Sequence, residues 1–199
     1  MNKLLNINYD KYSIDRINYV KVICEDNESN INTEDHSDKL PKDISNLVYI
    51  NIYYNKTPTI TVTTPTMVCP FGFETSNKTF NIKLQFTNYK SDINMKNFLY
   101  FIRDIEFNNM KYLGLNEDSM KEYNSQIYDT NKKYDPLLLI KVPFLNNRFD
   151  VNVYNDNYNL NISNINKYSK VKCDIYIDKI WYYNGRYICK WKLKNIYIL

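Results

Sequence analysis

Apolar and polar positions alternate in the manner of strands at both ends of this chain and repeat at helical spacing in its middle. Ile14, Ile17, Val20, Val22 and Ile23 place a strand around Asn18 to Cys24. Leu47 to Tyr54 and Pro58 to Thr64 are two β-patterned runs, and Asn55-Lys56-Thr57 between them is short enough for a hairpin turn. Pro65 to Gly72 carries a proline at position 65 and another at 70. Because proline brings no ladder donor, the segment reads as a compact connection and not as a central strand. Thr79 to Phe86 alternates cleanly, with Phe80, Ile82, Leu84 and Phe86 on one side and Lys83 and Gln85 on the other, which predicts a half-buried strand.

Ser91 is placed to cap a helix over Ile93 to Met110, whose Phe98, Phe101, Ile102, Ile105 and Met110 share one face. A second helix over Glu117 to Tyr128 is predicted from Met120, Tyr123 and Ile127. From Asp135 the pattern is β again: Leu137 to Val142, Arg148 to Tyr154, a turn at Asn155-Asp156-Asn157, then Tyr158 to Ile162. Strands, then helix, then strands with short turns make a mainly β chain, barrel-like, with one or two inserted α-helices.

Tyr168 to Leu199 is the most informative stretch. Two β runs meet at Asn184-Gly185, the residues a type I′ turn requires, which pairs Tyr183 with Arg186 and Trp181 with Ile188. Carried inward without interruption, that register mixes apolar and charged residues on each face. One extra residue in the first arm, a β-bulge near Lys179-Ile180, restores the separation. Asp178 then faces Lys190, Asp174 faces Lys194, and Ile175 and Ile177 face Leu193 and Trp191. The buried face becomes Ile175, Ile177, Cys189, Trp191 and Leu193. The other carries Tyr176, Trp181, Tyr183, Arg186, Lys190, Lys192 and Lys194.

Charge sharpens the picture. The net charge is only +4, but Glu25 to Asp43 holds seven acidic residues against two lysines, and from Ser163 eight Lys/Arg stand against Asp174 and Asp178. The C-terminal part is therefore a candidate anion-binding surface. The chain divides into residues 1–46, a strand with an acidic flexible loop, and 47–199, the binding domain. Tyr (20 residues) supplies most of the aromatic content, part of which AT-rich coding would produce on its own.

Composition also excludes classes of function. One histidine, His36 in the acidic loop, leaves no Ser-His-Asp or Cys-His arrangement and no zinc set. With three glycines there is no phosphate-cradling loop. No enzymatic activity, metal or cofactor is expected. Four scattered cysteines, no leader-like N-terminus and no long apolar run fit an intracellular, reducing location away from membranes, with Cys173 and Cys189 as core residues.

Rings interleaved with cations on a β ribbon suit single-stranded nucleic acid, whose bases stack on any aromatic face at about 1–3 kcal/mol each while lysines follow the phosphates. The competing reading is an amphipathic ribbon whose lysines confer solubility, or a structural module that docks an acidic protein partner through the same hairpin. Nothing in the ribbon reads a base edge or a 2′-hydroxyl, so DNA and RNA are not distinguished.

Thr64-Pro65-Thr66-Met67-Val68-Cys69-Pro70-Phe71-Gly72, followed by a strand and a helix, is similar to a segment P-x-M-x-x-P-F-G. The later run, with Lys141-Val142-Pro143-Phe144, the run Lys167-Tyr168-Ser169-Lys170-Val171-Lys172-Cys173 and then Lys179 to Leu193, continues the likeness. Together they resemble the single-stranded DNA-binding proteins of large nucleocytoplasmic DNA viruses, related to the OB-fold helix-destabilising proteins of phages. The resemblance implies an OB barrel with a helix inserted between strands. It implies a non-catalytic coat for single strands in replication, recombination or repair, in host cytoplasm or at a viral replication site, with replication or recombination proteins as partners. By position it points to Trp181, Tyr183, Arg186, Lys190 and Lys192 as contacts, with Lys141 as a further one. The phage proteins often end in an acidic tail that recruits partners. Here the chain closes on Asn195-Ile196-Tyr197-Ile198-Leu199, which leaves the acidic stretch as the remaining candidate for that role.

Overall fold

The computed structural model describes residues 6–25, 46–76, 79–129, 133–155 and 158–199, with backbone alone for 23–25, 46–48 and 158–159. His36 and the acidic stretch beyond Glu25 lie outside the described residues. Before the helix come β1 (Asn6–Ile7), β2 (Ile17–Glu25), β3 (Asn46–Tyr54), β4 (Ile60–Thr63), β5 (Met67–Cys69), β6 (Phe73–Ser76) and β7 (Thr79–Gln85). The helix α1 (Ile93–Tyr112) is followed by β8 (Tyr123–Asn124), β9 (Ile127–Tyr128) and β10 (Leu137–Lys141). Next are β11 (Phe144–Leu145), β12 (Arg148–Phe149), β13 (Asn152–Asn155) and β14 (Tyr158–Leu160). The chain finishes with β15 (Ser169–Ile177), β16 (Lys179–Tyr183), β17 (Arg186–Ile188) and β18 (Trp191–Ile198).

Five strands close on themselves in the order β5, β7, β10, β18, β15 and back to β5. Four junctions are antiparallel, and one, β10 beside β18 with Ile140 opposite Trp191, is parallel. In chain order the barrel runs 1-2-3-5-4-1, an OB-like closure that leaves no open edge between its first and fourth strands. The interior is apolar because alternate residues of each strand point inward: Met67, Ile82, Leu84, Ile140, Ile175 and Trp191 are at most 1 % exposed. Helix α1 lies between the second and third barrel strands in sequence and sets Phe98 against Phe86 and Phe101 against Trp191. At the other end of β7, Phe80 gathers Phe73, Phe144 and Phe149 into a four-ring cluster with centroids 4.8–6.1 Å apart.

A second sheet, β2-β3-β16-β17-β8, extends from the barrel as an arm. Its inner face contains Ile17, Ile50, Ile52 and Ile180, and α1 holds it by hydrogen bonds. The carbonyl oxygen of the fully buried Asn109 side chain accepts from the Tyr19 hydroxyl (2.8 Å), and its amide donates to the Tyr123 hydroxyl (3.0 Å). Tyr112 stacks on Tyr19 at 4.2 Å.

Several expectations are corrected. Met67 to Cys69 is a central barrel strand after all, because Pro65 and Pro70 bracket the three paired residues and take no place in the ladder. The helix cap is Asp92, not Ser91: its carboxylate accepts from the amides of Asn94 (2.9 Å) and Met95 (3.1 Å), while Ser91 turns back onto the Asn88 carbonyl. No helix forms over 117–128. A 3-10 turn at Met120–Glu122 leads into β8 and β9, since Glu106 on α1 captures the Ser125 hydroxyl and the Gln126 amide and Tyr123 pairs with Tyr187. These tertiary bonds override a weak apolar spacing. Asn55 and Lys56 do make a tight turn with positive φ, closed by reciprocal bonds between Tyr54 and Thr57. Yet β3 and β4 do not continue as a hairpin ladder; β3 pairs with β16 and β4 with β15. Arg148 to Tyr154 is two strands, β12 folding back on β11 and β13 joining β18, and Ile162 belongs to a 3-10 turn.

The terminal ribbon has the predicted turn and register near its tip: Trp181 faces Ile188, Tyr183 faces Arg186, and Asn184 and Gly185 have φ of 50° and 74°. The one-residue slip in the first arm falls at Asp178, where β15 ends and β16 begins in the other sheet. Buried positions change there from Cys173, Ile175 and Ile177 to Ile180. Farther in, Ile175 faces Leu193 as expected, but a second irregularity between Asp174 and Ile175 puts Asp174 opposite Asn195 instead of Lys194. The Asp178 carboxylate, expected to face Lys190, holds Lys192.

Candidate nucleic-acid interface

The slip at Asp178 keeps Tyr176 on the outer face of the barrel and turns Trp181 and Tyr183 to the outer face of the arm. Lys179, Trp181 and Tyr183 alternate with buried Ile180, so all three share that face. Register sets Tyr49 of β3 directly beside Trp181. Their rings lie 5.1 Å apart, and the Lys179 ammonium stands 4.7 Å from the Tyr49 centroid and 5.0 Å from that of Trp181. A cation over two rings adds roughly 0.5–1 kcal/mol per contact at such half-exposed sites and holds both rings in place. At the tip Arg186 is exposed opposite half-buried Tyr183.

On the barrel, Tyr176 of β15 faces Lys192 of β18, which faces Lys141 of β10, which faces Asn81 of β7. These four form one outward row across the sheet. Lys192 is bonded to both oxygens of Asp178 at 2.9 Å and lies 5.7 Å from the Tyr176 ring centre. Burial, then the charges of Asp178 and Asp150, push the Tyr176 phenol up to about 12, so it stays a neutral donor at physiological pH. Lys190 and Lys194 are half-buried beside this row. Asp174 is enclosed by donors, accepting from Thr63 (2.6 Å), Asn195 (2.8 Å) and Tyr197 (3.3 Å).

The predicted residues therefore fall into two groups: Tyr176, Lys192, Lys194, Lys190 and Lys141 on or beside the barrel face, Trp181, Tyr183 and Arg186 on the arm. Sequence reasoning missed Tyr49 and Lys179, whose partnership with Trp181 depends on β3 pairing with β16. It also missed Phe71, 45 % exposed in the loop between the first two barrel strands, with the Lys83 ammonium 5.2 Å from its ring. Lys83 is anchored to Glu74 at 3.1 Å. The quoted Pro70-Phe71-Gly72 segment held the signal for Phe71. Tyr154 and Tyr197, stacked at 5.2 Å with Lys172 opposite Tyr197, add a further ring pair on the barrel surface.

No family profile and no curated protein matches the sequence. Among solved structures the chain is similar to the single-stranded DNA-binding protein from bacteriophage Enc34, with a TM-score of 0.49 and 12% identity over 74% of this chain and 83% of that one. The same phage protein in complex with ssDNA gives a TM-score of 0.49 and 12% identity over 75% and 89% of the two chains. Its C-terminal truncation gives 0.47 and 13% over 74% and 88%. So remote a likeness assigns neither a family nor an activity, and the case for a ligand rests on the side chains above.

Proposed function

We propose that the chain is a non-enzymatic protein that binds single-stranded DNA without regard to sequence. The strand crosses the outer barrel face along Lys83, Lys141, Lys192 and Tyr176 and continues onto Tyr49, Lys179 and Trp181 of the arm. One observation carries this reading. Cations on the second and third barrel strands, Lys83 and Lys141, continue into Lys192 and Tyr176 on the fifth and fourth, and exposed or half-exposed rings stand on two connections, Phe71 between the first and second strands and Trp181 to Tyr183, with Arg186, between the fourth and fifth. The second and third strands and those two connections are the surfaces with which OB folds engage oligonucleotides. The rings offer stacking that every base can use, and the lysines offer charge that follows any phosphate backbone. A role in replication, recombination or repair, in a reducing intracellular setting, and kinship with the large-DNA-virus proteins enter the proposal through the quoted sequence segments alone. Titration of a fluorescent dT oligonucleotide at rising salt tests it. Saturable binding that weakens steeply with salt supports the reading, and absence of binding at low salt removes it.

A further inference from the structure

Helix α1 has a face that its own fold does not use. Its core side is Met95, Phe98, Leu99, Phe101, Ile102 and Ile105, all buried. On the opposite side Ile93, Lys96, Tyr100, Arg103, Phe107 and Lys111 fall within about 80° of the helix circumference at 3.6 residues per turn. Three of them are large apolar side chains left open to solvent, Ile93 at 67 %, Tyr100 at 48 % and Phe107 at 63 %. A single exposed apolar residue is ordinary, but here three stand in one line along the helix. Cations separate them: the Lys96 ammonium lies 5.7 Å from the Tyr100 ring, and Arg103 pairs with Asp129 at 2.8 Å.

We infer that this stripe docks an amphipathic helix from a partner protein, one with apolar residues a heptad apart and acidic residues flanking them. The apolar anchors repeat every seven residues, about 10.5 Å along the axis, which is the repeat an amphipathic helix presents to a groove or ridge. Bases of a single strand lie much closer together, and Ile93 has no ring on which a base could stack. Charge decides against a second copy of the chain. Arg103 is already paired with Asp129, but two such stripes laid together would oppose Lys96 and Lys111 with the same cations, whereas acidic flanks complement them. The acidic stretch of this chain has only Ile31 and Leu40 as apolar residues between Glu25 and Asp43, too few to fill three anchor positions.

The test uses the full chain and a fluorescein-labelled synthetic peptide of three heptads, with leucines a heptad apart and glutamates beside them. Saturable binding is expected, and it weakens about tenfold or more in Phe107→Ser and in Lys96→Glu, with the melting temperature and dT affinity of both variants unchanged. No saturable binding by the parent chain overturns the inference, as does equal binding by Phe107→Ser. If Phe107→Ser instead weakens dT binding, the stripe belongs to nucleic acid. If it abolishes a concentration-dependent dimer in sedimentation, the occupant is a second copy. Either result overturns the assignment to a partner helix.

Discussion

Lys192 gives its ammonium to both carboxylate oxygens of Asp178 at 2.9 Å, with the two side chains about a quarter exposed. A phosphate arriving on the barrel face must displace that carboxylate before it can use the lysine. Asp178→Asn is therefore expected to tighten single-strand binding several-fold at low salt. It should steepen the dependence of log affinity on log salt by about 0.7, one phosphate's worth on a single strand. Asparagine keeps the size of the aspartate and an oxygen that can accept from Lys192, so folding should survive the change. Identical salt slopes for the two proteins would take Lys192 off the strand's path.

Trp181 is braced by Tyr49 and Lys179 yet remains half-exposed, so its truncation removes a stacking surface and little core. Trp181→Ala is expected to weaken binding by about 1–3 kcal/mol, equally on dT, dC and mixed oligonucleotides. Fluorescence titration of the three measures it. A loss confined to one sequence would indicate base-edge readout in place of stacking.

Gly72 has φ of +71°, and a Cβ there would meet the Ile165 carbonyl oxygen at 2.7 Å. This turn presents Phe71 to solvent and sends Phe73 back to donate to the same Ile165 carbonyl at 3.1 Å. Both the backbone angle and the contact oppose any side chain. Gly72→Ala should cost about 1–3 kcal/mol in denaturant unfolding. At Gly185 a Cβ meets nothing within 4 Å, so Gly185→Ala pays only for its φ of +74° and should cost less. Equal losses would mean the Ile165 contact relaxes freely.

Glu106 is 7 % exposed and accepts from the Ser125 hydroxyl and the Gln126 amide, both at 2.7 Å. Burial raises its carboxyl above the usual 4.5, outweighing the opposing pull of those bonds and of Arg103. A carboxyl raised on folding contributes stability that is whole below the usual value and is lost as pH climbs through the folded one. Glu106→Gln removes that loss. The melting temperature of the variant should therefore gain on the parent's as pH rises from about 4 to about 8. A difference between the two that does not move with pH would contradict this assignment.

What could be read from the sequence follows how much residue pattern each element has. The alternation over Thr79 to Phe86 and the 3.6-residue period through Phe98, Phe101, Ile102 and Ile105 specify their elements, because each repeats several times. Met67 to Cys69 offers three residues and no period, so its place in the barrel depends on partners 17 and 100 or more positions away, Gln85 and Ser169 to Val171. The helix expected over 117–128 had spacing but no bonds of its own to hold it against Glu106. In the ribbon a one-residue slip of alternation was legible, expected near Lys179-Ile180 and found at Asp178, since charged and apolar residues cannot share a buried face. That the chain also changes sheets there was not, because the cause is the pairing of β3 with β16. Tyr49 and Lys179 stayed hidden for the same reason.

The central claim, that the barrel face and the arm form one surface for single strands, is tested most directly by titrating fluorescent dT, rU and duplex oligonucleotides into the protein and its Trp181→Ala variant at several salt concentrations. The account predicts saturable binding of the single strands, weak duplex binding, steep loss with salt, and a weaker dT affinity for the variant. Binding that ignores salt, prefers duplex, or is untouched by Trp181→Ala would contradict it.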